Sequence, residues 1–127
     1  MDKLFCLDTY AIVEIYYGNP KFSKFILGNF VISDWILGEF YYVWMQKYGE
    51  VEADTLIKEL EKNSIQVSKE IIIKAMKFRY QHKKENKDSN ISFFDAIGYI
   101  FSKENNYTFV TGDKEFEGLE NVDYVKK

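Results

Sequence analysis

Short apolar runs alternate with longer amphipathic stretches along this chain of 127 residues. Residues 4–7 (LFCL) form a continuous apolar run, which is typical of a strand buried on both faces of a parallel sheet. Residues 30–32 and 108–110 are equally short and rich in β-branched and aromatic side chains, and residues 65–67 and 122–125 are similar. The pattern therefore predicts a sheet of about five strands, with the last of them at an edge.

Between these runs, apolar residues recur at the three- and four-residue spacing of helices that pack on a core. Serines that suit an N-cap precede three of these stretches, at Ser33, Ser68 and Ser92. Strands that alternate with helices in this way predict an α/β layer fold with a mostly parallel sheet. The predicted helices cover residues 9–17, 21–27, 34–48, 51–62, a segment after Ser68 that fades into the polar run 81–90, and 93–104, with a helical turn within 113–119.

Four acidic residues occupy positions that the predicted fold brings to one edge of the sheet. Asp8 and Asp113 lie just past the ends of the first and fourth predicted strands. Asp95 lies in the first turn of the helix before the fourth strand, and Glu39 lies about a turn and a half into the helix after the second. Because the carboxyl ends of parallel strands meet at one edge, where ligands bind in open α/β sheets, we expect these carboxylates to share a crevice.

Four carboxylates in one crevice repel one another, which raises their pKa values unless a cation compensates the charge. Their hard oxygen atoms suit Mg²⁺ or Mn²⁺, whereas a single cysteine and a single histidine far apart in sequence do not suit zinc. Such a site can hydrolyse phosphodiester bonds, because the ion delivers a hydroxide and neutralises the phosphate. Thr9 and Thr111 are candidates to hydrogen-bond the carboxylates or ion-bound waters.

Four segments of the chain resemble, in order and spacing, the acidic motifs of PIN domains. These segments are LFCLDTYAI, ISDWILGEF, ISFFDAIGYIFS and FVTGDKEF. The resemblance covers nearly the whole chain and is strongest to the small VapC-type toxins of toxin–antitoxin pairs. It implies a single domain over residues 1–127, with a three-layer α/β/α sandwich around the parallel sheet.

The resemblance also implies an activity, that of a metal-dependent endoribonuclease that uses Mg²⁺ or Mn²⁺. Asp8, Glu39, Asp95 and Asp113 are the acids carried over as catalytic residues and metal ligands, and Thr111 is the family's hydroxyl before the last aspartate. The expected partners are an RNA substrate, a VapB-type antitoxin and a second copy of the chain in a homodimer. Two alternatives stay open: a PIN-domain nuclease that processes RNA without an antitoxin, and a non-catalytic interaction module.

Composition and charge add a few expectations. The formal net charge of −3 argues against a protein that holds nucleic acid by net positive charge. The basic cluster Lys83, Lys84 and Lys87 is either a solvated loop or a phosphate-steering patch, and His82 is expected at a solvated helix end. Cys6 is expected to be a buried thiol, in keeping with a reducing cytoplasm, and no signal peptide or membrane span is expected.

Overall fold

The sheet is the centre of the fold, and all of its strands run parallel. A computed structural model describes residues 4–27 and 29–126, except for the side chain of residue 27. Within these residues five strands pair in the order β3–β2–β1–β4–β5, which confirms the predicted parallel sheet with the last strand at an edge. The strands are Phe5–Leu7 (β1), Phe30–Ser33 (β2), Ser64–Ile65 (β3), Thr108–Thr111 (β4) and Val122–Tyr124 (β5).

Helices occupy the connections between the strands, and serine caps start three of them as predicted. Ser33, Ser68 and Ser92 accept hydrogen bonds from backbone N–H groups three residues further on, at 3.1, 3.3 and 3.0 Å. The 3₁₀ helix Lys114–Phe116 confirms the predicted helical turn, whereas Pro20–Phe22 and Glu61–Asn63 are 3₁₀ segments at the start of the predicted helix 21–27 and the end of the predicted helix 51–62. The helices are Thr9–Tyr16 (α1), Ser23–Leu27 (α2), Asp34–Tyr48 (α3), Glu50–Leu60 (α4), Lys69–Glu85 (α5) and Phe93–Glu104 (α6).

Several element boundaries differ from the sequence pattern, and two of these differences have a clear cause. The third strand is Ser64–Ile65 instead of 65–67, because the backbone N–H of Val67 leaves the ladder and donates to the Asp34 carboxylate at 3.2 Å. Helix α5 does not fade at residue 81 but continues to Glu85, with Gln81 donating to Glu85 at 2.9 Å on its exposed side. Residue 28, predicted to close the second helix, lies outside the described residues.

Helices cover both faces of the sheet, which makes the fold a three-layer α/β/α sandwich. Neighbouring residues of a strand point to opposite faces, and both Cys6 and Leu7 of the central strand are inaccessible to solvent. Phe109 and Val110 of β4 are buried in the same way. The predicted buried thiol is confirmed, since Cys6 is fully buried and this burial raises its pKa to about 12.

No helix within residues 4–27 and 29–126 is both long and apolar enough to cross a membrane.

Helix α6 packs closely against the sheet and α3 at Gly98. A Cβ atom on Gly98 of α6 would lie 2.7 Å from Ile36 Cδ1 and 2.8 Å from the ring of Phe109, closer than real Cβ contacts. Gly38 of α3, by contrast, has no atom within 4 Å of its Cβ position. Glycine is therefore required for close packing at only one of these two helical positions.

We expect Gly38→Ala to stabilise the protein and Gly98→Ala to be clearly less favourable. Both substitutions gain about 0.5–1 kcal/mol from helix formation, but only the second also overpacks the core, which costs about 1–3 kcal/mol. Urea unfolding of both variants measures the difference in the free energy of unfolding. Equal stabilisation by the two substitutions would contradict the close contact between α6 and β4.

Candidate active site

An open crevice at the carboxyl edge of the sheet collects all four predicted acids. Asp8, Glu39, Asp95 and Asp113 line it together with Thr9, and its volume is about 490 Å³. Strands β1 and β4 are parallel neighbours, so the segments that follow them emerge side by side. Helix α6 runs back to the start of β4 and therefore begins at the same edge. Asp8 and Asp113, which are more than one hundred positions apart in the sequence, thus line the same crevice.

Asp8 is the most deeply buried of the four acids, with only 1% of its surface accessible. It is the N-cap of α1, and its Oδ1 accepts a 2.7 Å hydrogen bond from the Ala11 N–H. The pKa of Asp8 is raised to about 7, chiefly by burial and in smaller part by the neighbouring carboxylates Glu39 and Asp113. Hydrogen bonds from the Thr111 hydroxyl and the Ala11 N–H oppose that rise in pKa. The carboxyl group is thus held in place by the helix start and by β4.

Asp95 lies opposite Asp8 in the first turn of α6, where it is partly buried. Its backbone N–H donates to the hydroxyl of Ser92, the cap of the helix, at 3.0 Å. Burial raises the pKa of Asp95 well above its usual value, and the charges of Asp8, Glu39 and Asp113 add to this effect. These mutual effects show that the four carboxylates are close enough to interact electrostatically.

Glu39 and Asp113 complete the rim of the crevice, and threonines contact both. The Thr9 hydroxyl donates to Oε1 of Glu39, which joins the start of α1 to the middle of α3. The Asp113 backbone N–H donates to the Thr111 hydroxyl at 3.0 Å, and Asp113 Oδ1 accepts from the Glu115 N–H at 3.0 Å. Both predicted threonines therefore hydrogen-bond the acidic segments.

Gly112 lies between Thr111 and Asp113, packed against the aromatic ring of Tyr10. A Cβ atom at position 112 would lie 2.1 Å from a carbon of that ring, so only glycine fits there. The ring of Tyr10 in turn packs edge-on against the buried Phe22. The backbone that carries Asp113 is therefore fixed against α1 by close packing.

The four acids share a crevice, but they do not form a closed ligand set in this structure. Within residues 4–27 and 29–126, no three histidine, cysteine, aspartate or glutamate side chains are grouped closely enough to hold a metal ion. The chemistry of the donors nevertheless fits a hard divalent cation, since all of them are carboxylate oxygens. Burial, with the neighbouring carboxylates adding to it, raises the pKa values of Asp8 and Asp95, and a cation would offset both effects.

Two charged residues that sequence analysis missed also line the crevice. Glu14 of α1 is buried and accepts a 2.9 Å hydrogen bond from the Asn19 side chain. Lys47 of α3 donates to the Tyr17 hydroxyl at 2.9 Å and brings a positive charge to the end of the crevice. Lys47 lies eight residues after Glu39, with Val43 between them, so helical spacing was the signal that could have found it.

The prediction of a solvated helix end at His82 is wrong. The imidazole ring is largely buried, stacks on Phe78 with ring centroids 5.7 Å apart, and places Nε2 3.1 Å from a carboxylate oxygen of Glu115. The contact lowers the pKa of Glu115. Because Glu115 also donates its N–H to Asp113, this pair links α5 to the segment that carries the last acid of the crevice.

The sequence model of the PIN domain family matches residues 5–121 of the chain. No curated protein sequence matches it significantly.

Several solved structures share the fold over nearly their full length. A toxin–antitoxin complex from Klebsiella pneumoniae is 18% identical with a TM-score of 0.73, over 99% of this chain and 100% of that one. VapC20 of Mycobacterium tuberculosis, described as a toxin that cleaves the sarcin–ricin loop, is 14% identical with a TM-score of 0.73, over 97% and 98%. DNA-bound VapBC from Salmonella typhimurium is 17% identical with a TM-score of 0.75, over 98% of both chains.

We expect Asp8→Asn to stabilise the protein in the presence of a chelator at pH 8. The unfolded aspartate loses its proton near pH 4, but the folded one keeps it to about pH 7, so raising the pH through this window destabilises the native state. The gain from the substitution should approach about 4 kcal/mol at most and vanish towards pH 4. Thermal or urea unfolding at pH 4, 6 and 8 measures it.

The control is Glu117→Gln, which removes one negative charge from an exposed side chain. Its effect on the free energy of unfolding should be small and should not grow between pH 4 and pH 8. Two outcomes would contradict the conclusion that ionised Asp8 destabilises the native state. One is a destabilised Asp8→Asn variant at pH 8, and the other is an equal gain in the free energy of unfolding from Glu117→Gln.

Proposed function

Because this chain belongs to the PIN domain family, we propose that it is a metal-dependent endoribonuclease that hydrolyses RNA phosphodiester bonds. The observation that carries the proposal is the crevice shared by Asp8, Glu39, Asp95 and Asp113 at the carboxyl edge of the sheet. We further propose that the protein is the cytoplasmic toxin of a toxin–antitoxin pair. Support for this comes from structures with the same fold, which include a toxin–antitoxin complex and a toxin described as RNA-cleaving.

In this proposal the four acids hold Mg²⁺ or Mn²⁺, which would supply a bound hydroxide and neutralise charge on the phosphate. Asp8 and Asp95 would lose their protons when the ion binds, because its positive charge would favour the ionised carboxylates that burial and mutual repulsion otherwise disfavour. Thr111 keeps the Asp8 carboxylate oriented, and Thr9 holds one oxygen of Glu39 so that the other is the candidate ligand. The buried position of Asp8 makes its orientation rigid, which favours a single metal geometry.

The proposed partners are an RNA, a VapB-type antitoxin and a second copy of the chain. An antitoxin that covers the crevice would offer positive charge to the acids, because an uncompensated carboxylate cluster is costly. A nuclease that processes RNA without an antitoxin would have the same crevice. A small neighbouring gene that encodes a DNA-binding protein, and copurification of the two products, distinguish the toxin from that alternative.

Asp8→Asn and Asp95→Asn should each lower the rate of RNA cleavage by about a hundredfold or more, since a metal ion supplies several kcal/mol of transition-state stabilisation. The rate is measured on a labelled RNA with Mg²⁺ or Mn²⁺, and circular dichroism verifies that the variants are folded. Glu117→Gln serves as the control and should retain the wild-type rate. Unchanged cleavage in both aspartate variants would refute the assignment of the site.

Calorimetric titration with Mn²⁺ tests the metal site without RNA. We expect saturable binding to the wild-type chain and at least tenfold weaker binding to Asp95→Asn, because a carboxylate ligand is lost. Proton release on binding should be visible at pH 6, where Asp8 is still protonated in the metal-free protein. The absence of binding at millimolar Mn²⁺ would instead favour a non-catalytic interaction module.

A further inference from the structure

A second cavity, of about 460 Å³, lies on the exposed side of α5 and combines positive charge with aromatic rings. We call it the α5 pocket. Its residues recur at the spacing of one helix face and are joined by the first residue of α6: Met76, Arg79, Tyr80, Lys83, Lys84, Lys87 and Phe93. The basic cluster that the sequence left open between a solvated loop and a phosphate-steering patch thus forms one wall of a cavity.

The positive charges of the α5 pocket are held in place by contacts that do not neutralise them. Arg79 Nε donates to the Ile91 carbonyl at 2.7 Å, and Lys83 Nζ donates to the Ser89 carbonyl at 2.7 Å. Within the part of the chain that the structure describes, no carboxylate lies within 4.0 Å of these two cations or of Lys84 and Lys87. Residues 79–88 contain four such cations and two acids, which leaves a net charge of +2 with the histidine neutral.

Two aromatic rings in the pocket are exposed to solvent. Tyr80 is 67% exposed and Phe93 is 52% exposed, whereas the aromatic side chains of the core are buried. The guanidinium of Arg79 lies 4.3 Å from the centroid of the Phe93 ring, and Lys84 Nζ lies 5.6 Å from that of Tyr80. Flat rings next to unneutralised cations suit a ligand that has both aromatic bases and phosphates.

The α5 pocket adjoins the acidic crevice through the segment that caps α6. Asn90 and Ser92 line the crevice, whereas the neighbouring residue Phe93 lines the α5 pocket. The carbonyl groups of Ser89 and Ile91, in the same segment, accept the hydrogen bonds from Lys83 and Arg79. A polynucleotide with a phosphate in the crevice therefore needs to cross only this short segment to reach the pocket.

We propose that the α5 pocket binds unpaired nucleotides of an RNA strand beside the phosphate held in the acidic crevice. A base would stack on Tyr80 or Phe93, and the lysines would contact the flanking phosphates. An unpaired strand is required, because the bases of a duplex are already stacked on one another. The inference rests on the proposed nuclease function only for the identity of the substrate, since the pocket itself contains none of the four acids.

The test is fluorescence anisotropy with a labelled single-stranded oligoribonucleotide of about twelve nucleotides, which exceeds one pocket's span. A chelator is present, so that binding is measured without cleavage. The double variant Tyr80→Ala/Lys84→Ala should bind at least tenfold more weakly than the wild-type chain. Its affinity should also depend less steeply on salt, by about 0.7 in the log–log slope for the one lost lysine contact. Tyr80→Phe, which keeps the ring, should bind as the wild type does.

The matched control is Tyr42→Ala/Lys58→Ala, which removes an aromatic ring that is 57% exposed and an exposed lysine from α3 and α4. It should change RNA affinity less than twofold. Equal affinities of the two double variants, or no binding of this RNA by the wild-type chain at micromolar protein, would overturn the proposal. So would a change in oligomeric state in the Tyr80→Ala/Lys84→Ala variant with RNA affinity unchanged, because the pocket would then be a protein interface.

The same variants separate this proposal from the nuclease assignment. With Mg²⁺ present, Tyr80→Ala/Lys84→Ala should raise the KM for the RNA and leave the rate at saturation within about twofold, since it removes binding contacts outside the acidic crevice. Asp95→Asn should instead lower the rate at saturation and change the KM for the RNA little. RNA binding that depends on Tyr80 in a chain that cleaves nothing would refute only the nuclease; cleavage with unaltered KM in the α5-pocket variant would refute only the pocket.

Discussion

A buried carboxylate at the end of the central strand is the constraint on which this structure depends. Asp8 is inaccessible to solvent, yet it has acidic neighbours and a pKa raised to about 7. A negative charge in that position is costly. The fold tolerates it through the hydrogen bonds of Ala11 and Thr111 and through the protonation that the raised pKa permits at neutral pH. Such local instability at an otherwise well-packed edge is typical of sites that serve function rather than stability.

The positions of the acids could be predicted because they follow from local rules and one topological rule. Serine caps, strand ends and helix starts are encoded within a few residues, and a parallel sheet then brings Asp8, Asp95 and Asp113 to one edge. Glu39 followed from its distance along a helix. Because all the strands run parallel, neither the strand order nor the right-handedness of the connections changes the edge of the sheet at which these acids lie.

What sequence analysis missed depends on packing between distant elements. His82 looked solvated because its neighbours in sequence are polar, but Phe78 and Glu115 enclose it, and Glu115 belongs to a segment 33 residues away. Helical spacing predicts the face of α3 on which Lys47 lies, but it does not predict that Lys47 contacts Tyr17. The α5 pocket likewise forms because Phe93 of α6 lies close to the last turns of α5. The sequence pattern did not predict those turns, because it ended α5 before Glu85. No local pattern encodes such contacts.

The close contact between Gly112 and the ring of Tyr10 limits how this protein can diversify. Any side chain at position 112 would collide with the Tyr10 ring, which is itself packed on Phe22, so a change there requires the Tyr10 side chain to be replaced or displaced as well. The outer side of α5 carries no such restriction, since Tyr80 and its neighbouring lysines are exposed. Libraries that aim to alter which molecules the protein recognises are therefore best directed at α5, with the turn after β4 left unchanged.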